Sequence, residues 1–349
     1  MTSAPRPALL GTALAAALVL AACGGGTGGD GAGPAAAPVT AVESTGAGDV
    51  AAPALSVVAA FYPLQFLAQQ VGGDRADVTG LTPPGAEAHD LELSPQSLVG
   101  LTESDLVVAL GGFQPAVDEA LAGTQVPVVD LADVADRELG EDAEPHDHSH
   151  DEDADEHADD EHADEEGAAE DDHDHGETDP HFWTDPTHMA EAAQHVAAAM
   201  SEADPDGADT YTANADALVA ELTTLDEEAQ TAFASCEVET LVTAHDAFGY
   251  FADRYGFEIR SINGITPDQE PDARAQAEIS DFVADSGIRT VYTETLVSAA
   301  IAETVAAEAG VDVMVLDPLE GLTDESAGQD YLEVMRANID AVRSGQACT

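Results

Sequence analysis

The chain has 349 residues, a formal net charge of −61 and nine basic residues, all of them arginine. So acidic a surface excludes a nucleic-acid partner, because phosphate binding needs a basic face, and it would be repelled by an anionic bilayer. The length is enough for two lobes of ordinary size once unfolded stretches are set aside.

Residues 1–22 read as a bacterial export signal. Arg6 supplies the positive start, and the apolar run over residues 8–22 is too short to span a bilayer as a mature helix. It ends in Leu20-Ala21-Ala22-Cys23, which resembles the lipobox of bacterial lipoproteins. The resemblance implies cleavage before Cys23 and a diacylglycerol on its thiol. That gives an exported chain anchored on the outer side of the cytoplasmic membrane. Residues 23–54, rich in Gly, Ala and Pro, then form a flexible tether.

From residue 55 the pattern changes to short apolar runs alternating with helical stretches. Residues 55–60, 77–79, 106–109 and 126–130 have strand character; residues 64–71, 95–103 and 115–121 read as helices. This alternation predicts a parallel α/β sheet in a first lobe over residues 55–137.

Residues 138–178 break the rhythm. Between Glu141 and Glu177 lie twenty acids and seven histidines (His146, His148, His150, His157, His162, His173 and His175), with no Lys or Arg. Such a segment lacks the apolar surface to fold alone. Its imidazoles and carboxylates predict a loop that attracts divalent cations weakly, zinc foremost.

Residues 179–206 complete the first lobe and contain a helix starting at Pro186. Residues 207–235 have apolar positions at Tyr211, Ala215, Leu218, Leu222 and Leu225, the three-or-four spacing of one long amphipathic helix, uninterrupted by Pro. In residues 236–349 strands at 240–244, 258–262, 290–292 and 311–316 again alternate with helices. The fold class expected is therefore α/β, with two lobes, each a small parallel sheet flanked by helices, joined by one long rigid helix. Cys236 and Cys348 are expected to pair, since an exported chain meets an oxidising compartment.

Outside the acidic segment, four candidate metal ligands fall in loops of this pattern. His89 follows the turn Thr82-Pro83-Pro84-Gly85, His181 lies in Asp179-Pro180-His181-Phe182-Trp183, His245 directly follows a strand, and Asp317 follows another. In open parallel sheets the carboxyl ends of strands are where ligands bind. Taken singly each has an ordinary alternative: a capping or solvated His, or an Asp that starts a turn before Pro318. His188 and His195 lie on an Ala-rich helix and are read as non-ligands.

The four motifs Pro83–Asp90, Asp179–Pro186, Thr243–Phe251 and Leu316–Leu319 occur in the order in which they resemble those of zinc-uptake solute-binding proteins of ABC transporters. The resemblance covers residue 55 to the C-terminus, and a His-Asp-rich insertion before the second ligand is itself a feature of the zinc members. It implies that His89, His181 and His245 bind the metal and that Asp317 completes the site. Glu294 takes a supporting place, and a membrane permease and its ATPase are implied as partners. Where some relatives have an acid directly before the first His, this chain has Ala88, with Glu87 one place further back.

Three imidazoles and one carboxylate suit a closed tetrahedral Zn2+ site better than Mn2+, which prefers more oxygen. Each His must be neutral to bind, so affinity should fall as pH drops through about 6.5. Asp90 and Asp246, next to two of the histidines, are candidates to orient their rings. The expected function is capture of Zn2+ and its delivery by a monomeric protein without bond-making catalysis. A surface zinc buffer or adhesin is the alternative. A zinc hydrolase would need an open coordination position, and no His-Glu-x-x-His helix is present.

Overall fold

The computed structural model describes residues 53–137 and 178–349. The export signal, Cys23, the start of the tether and the seven histidines of the acidic segment lie outside the described residues.

The first sheet is parallel, in the order β2-β1-β3-β4. Its strands are β1 (Leu55–Ala59), β2 (Ala76–Gly80), β3 (Leu106–Ala109) and β4 (Val128–Asp130). The helices between them are α1 (Tyr62–Gly72), α2 (Pro95–Glu103) and α3 (Pro115–Ala122). All three carry Pro in their first turn, where no intrahelical N–H is needed. Ser94 caps α2 by accepting from the Ser97 N–H. Strands β1 and β3 are buried along nearly their whole length, as strands covered on both faces must be.

The second sheet repeats the arrangement in the order β6-β5-β7-β8, again all parallel. Its strands are β5 (Thr240–Thr243), β6 (Glu258–Ser261), β7 (Thr290–Thr293) and β8 (Asp312–Val315). Between the sheets in sequence come α4 (Pro186–Ala203), capped by Asp185, and α5 (Ala208–Ala232). The remaining helices are α6 (Gly249–Tyr255), α7 (Ala273–Asp285), α8 (Ala300–Ala309) and α9 (Tyr331–Gly345). The apolar positions read from the sequence of α5 (Tyr211, Ala215, Leu218, Leu222, Leu225) are its buried face.

The two sheets share one core. A single cluster of buried side chains runs from Val57 and Leu64 through Phe61, Trp183 and Met200 to Phe248, Leu316 and Tyr331. A second, smaller cluster around Val242, Val291 and Val305 fills the far side of the second lobe. Hydrogen bonds cross the junction too: Trp183 Nε1 donates to the Pro318 carbonyl at 2.7 Å, and Tyr331 Oη donates to the Trp183 carbonyl at 2.7 Å. A disulfide joins Cys236 to Cys348. Its cysteines precede β5 and follow α9, and Gln346 beside it accepts the Glu237 N–H through its carbonyl.

Candidate metal centre

His89, His181, His245 and Glu320 meet between the two sheets, with one possible ligand atom from each lying within 4.8 Å of the others. His89, His245 and Glu320 lie in loops that follow the carboxyl ends of β2, β5 and β8, the place expected for a parallel sheet. His89 lies beyond β2, after a turn in which Ala86 N–H donates to the Pro83 carbonyl and Gly85 has φ of 78°. That φ belongs to the third position of a type II turn, which favours glycine, and Pro84 stands at the preceding position that favours proline. His181 opens the 3-10 turn Phe182–Thr184. His245 follows β5 after a single residue. Glu320 comes from the loop after β8.

The distances from Glu320 to the three rings are close to the edges of a zinc tetrahedron. Glu320 Oε1 stands 3.3 Å from His89 Nε2, 3.2 Å from His245 Nε2 and 3.5 Å from His181 Nε2. Bonds of about 2.0–2.1 Å to a central zinc put ligand atoms about 3.3–3.4 Å apart. His181, His245 and Glu320 are buried, while the His89 side chain keeps 8% of its surface. A cleft of about 260 Å³ opens on His89, bordered by Gly112, Phe113, Pro180 and Ile265, so the site communicates with solvent from that side.

Two carboxylates orient two of the rings in the same manner. Asp179 Oδ1 accepts both the backbone N–H of His181, at 3.0 Å, and its Nδ1–H, at 2.8 Å. Glu294 Oε1 accepts both the backbone N–H of His245, at 3.0 Å, and its Nδ1–H, at 2.6 Å. The hydrogen-bond network assigns the ring proton to Nδ1 in both. Each neutral ring therefore points a bare Nε2 lone pair at the Glu320 oxygen. Lone pairs facing an anionic oxygen repel unless a cation lies among them. His181 Nε2 is buried without a hydrogen-bond partner among the described residues. Burial disfavours a charged His245, yet Glu294 and Glu320 hold its pKa well above the ordinary value. Burial likewise acts against a charged Glu320, but the three histidines hold it well below its ordinary range.

The structure corrects two expectations. Asp317 does not reach the cluster. Its Oδ1 accepts the Leu319 N–H at 2.9 Å, and its Oδ2 accepts from Thr295 Oγ1 at 3.2 Å and Ser326 Oγ at 3.1 Å. Asn338 holds its backbone on both sides. With its lone pairs engaged, Asp317 builds the turn that delivers Glu320, and in that turn Leu319 adopts φ of 63°. Asp246 does not orient His245, whose Nδ1 is held by Glu294. The Asp246 N–H donates to the Gly264 carbonyl, and burial pushes its carboxyl up, with Asp179 adding to the effect. Glu87 binds the backbone N–H groups of His89 and Asp90 and so shapes the His89 turn. Two site residues escaped sequence reasoning: Glu320, although it lies three places beyond Asp317, and Asp179 as the partner of His181, although an Asp two residues before a His is a common turn former.

Residues 57–345 match the family described as zinc-uptake complex component A, periplasmic (ZnuA). The chain belongs to this family. It is 33% identical over 302 residues to the zinc-binding protein AdcA of Streptococcus pyogenes serotype M3, a match that takes in 83% of this chain and 55% of that protein. It is 28% identical over 307 residues to the high-affinity zinc uptake system protein ZnuA of Bacillus subtilis, covering 86% of this chain and 90% of the relative. The chain thus spans about half the length of the AdcA relatives and nearly all of the ZnuA one. Among solved structures, the laminin-binding protein Lmb of Streptococcus agalactiae superposes with a TM-score of 0.69 at 29% identity, covering 84% of this chain and 99% of that one. Zn(II)-bound AdcA of Streptococcus pneumoniae gives 0.66 at 29% identity, covering 84% and 57%. Two lobes built on four-stranded parallel sheets are the architecture shared by this ZnuA-family chain and such binding proteins.

Proposed function

We propose that the chain captures one Zn2+ outside the cytoplasm and hands it to an ABC-type permease driven by a cytoplasmic ATPase. The observation that carries this is the set of three buried Nε2 atoms within 3.2–3.5 Å of one Glu320 oxygen, close to the edge lengths of a zinc tetrahedron. Family membership supports the same reading. His89 and His181 come from the first lobe and His245 and Glu320 from the second. Zinc enters past His89, closes the ring of ligands and screens their mutual repulsion; small rotations of the lobes loosen it for release. Four protein ligands leave no position for a substrate or an activated water, so the site binds without catalysing. Cys23 carries the lipid that keeps the monomeric protein at the outer face of the membrane.

The acidic histidine-rich segment gathers zinc weakly and raises its concentration near His181. Deleting residues 141–177 should leave one tight zinc per chain and remove several weak ones, as read by calorimetric titration; loss of the tight site would reject this division of labour. The core reading is tested by metal analysis of the purified protein beside His245→Ala. The parent should retain one zinc per chain and the variant much less; equal zinc in both would refute it.

The structural neighbour Lmb is described as a bifunctional protein with adhesin and metal transporting activity, which favours surface adhesion as a second reading. Binding of the mature chain to immobilised laminin, with and without zinc, separates it from transport alone.

A further inference from the structure

Among the described residues Arg137 is the one arginine that touches the partner of a proposed zinc ligand, and it does so while holding the opposite lobe. Its Nη1 donates to Asp179 Oδ2 at 3.0 Å, leaving Asp179 Oδ1 to His181. Its Nε donates to Asp253 Oδ2 on α6 at 2.8 Å, and its backbone N–H donates to Tyr250 Oη, also on α6, at 2.8 Å. Its carbonyl accepts the Asp179 N–H at 3.0 Å. Helix α6 begins four residues after His245. One planar guanidinium therefore spans from the carboxylate that orients His181 to the helix that follows His245.

The packing is matched to this bridge. A Cβ built on Gly249, the first residue of α6, would collide with Asp179 Oδ2 and with the Arg137 guanidinium. Only glycine lets the ion pair lie against the helix start. Asp179 is fully buried and Arg137 only 25% exposed, so the pair is shielded from the solvent screening that makes surface ion pairs weak. Burial raises the carboxyl of Asp179, but bonds from His181 and the charge of Arg137 keep it below its ordinary value.

Building on the zinc-capture reading, we propose that Arg137 is a positioning residue for zinc: an interlobe latch that fixes Asp179, and through it the His181 ring, against α6 and so holds the two halves of the ligand set together. Lysine would be a poor substitute, because a single ammonium cannot present two fixed N–H groups to two carboxylates at once. Loss of a partner that orients a metal-bound imidazole typically weakens binding about 10–100-fold, and a latch predicts that most of this falls on the rate of release.

The test uses the mature chain, with zinc affinity measured against a chromogenic chelator and zinc release timed after adding chelator in excess. Arg137→Gln should bind zinc about 10–100-fold more weakly, chiefly through faster release, and Arg137→Lys should recover part of the loss. Arg137→Gln combined with Asp179→Asn should be no weaker than Asp179→Asn alone, because both act through one chain of contacts. Parental affinity and release in Arg137→Gln would overturn the proposal. So would tighter binding, since a nearby cation repels zinc and its removal then matters more than positioning, or penalties that simply add. If circular dichroism finds Arg137→Gln unfolded, Tyr250→Phe combined with Asp253→Asn cuts the latch on the α6 side alone: several-fold faster release supports the proposal and parental release overturns it. A parent chain that holds no zinc would instead refute the zinc-capture reading.

Discussion

Glu320 and Asp317 are both buried acids on one loop, but their surroundings give them different work. Glu320 faces three imidazole nitrogens, whereas Asp317 is saturated by hydroxyl and amide donors. Glu320→Gln should therefore lower zinc affinity by more than the roughly 10–100-fold typical of an outer partner. Asp317→Asn should cost affinity within that range and lower the melting temperature as well, because it loosens the turn. Competition titration and thermal unfolding check both. A second expectation concerns protons. In the metal-free state burial opposes a charge on His245, but Glu294 and Glu320 raise its pKa well above the ordinary value. A raised pKa means the proton competes with zinc up to a higher pH. Affinity should consequently keep climbing above about pH 6.5, the point expected for an unperturbed imidazole, and binding should release protons. Calorimetry in buffers of different ionisation enthalpy measures that release; none at pH 7 would contradict it.

At the scale of the element, α5 is the longest helix described, 25 residues or about 37 Å. It is tied to α6 by Asp226, which takes two bonds from Arg254 and one each from Tyr255 and Gln230. Burial pushes the Asp226 carboxyl up, but Arg254 and its neighbours bring it below the ordinary value. A carboxylate lowered in the folded state contributes stability that is present above its unfolded pKa of about 3.9 and is lost as pH falls through the folded value. Removing one member of a buried pair costs about 3–5 kcal/mol; with Arg254 about a third exposed the expectation for Asp226→Asn is about 1–3 kcal/mol at pH 7. The gap between variant and parent should shrink below about pH 4, as urea unfolding at both pH values would show. Because α6 also bears Tyr250 and Asp253, this pair anchors the helix that Arg137 grips.

For the whole molecule, the shared core limits how far the lobes can part. Wide opening would expose Trp183, Phe248 and Tyr331 together, and buried aromatic area is among the most costly to uncover. Under the proposed function, this core favours metal exchange by small shifts near His89 over wide opening of the lobes. The disulfide closes a loop with a sequence separation of 112 residues. Replacing both cysteines by serine should reduce stability by about 4–5 kcal/mol on the chain-entropy account. Zinc affinity should stay unchanged, since Cys236 precedes β5 and His245 follows it, at opposite ends of the strand. Denaturant unfolding and zinc titration on the same variant test both halves.

Much of this was legible from residues alone. The apolar spacing of α5 names its buried face because a helix must turn one stripe inward. The positions of His89 and His245 after strands mark them because a parallel sheet opens at that edge. The turn around Gly85 follows from Pro84 and the need for positive φ. The fourth member of the cluster was not legible. Choosing Glu320 over Asp317 depends on a left-handed Leu319, a conformation that leucine does not advertise and that Asp317, Ser326, Thr295 and Asn338 impose together from four separate stretches of chain. The roles of Asp179 and Arg137 likewise needed the packing of Gly249 against them. Local pattern marked which loops hold the candidate residues, since periodicity and turn chemistry act over a few residues. Which side chain in each loop joins the cluster was decided only by contacts between segments far apart in sequence, because a backbone bend held from outside leaves no mark on the residues that make it.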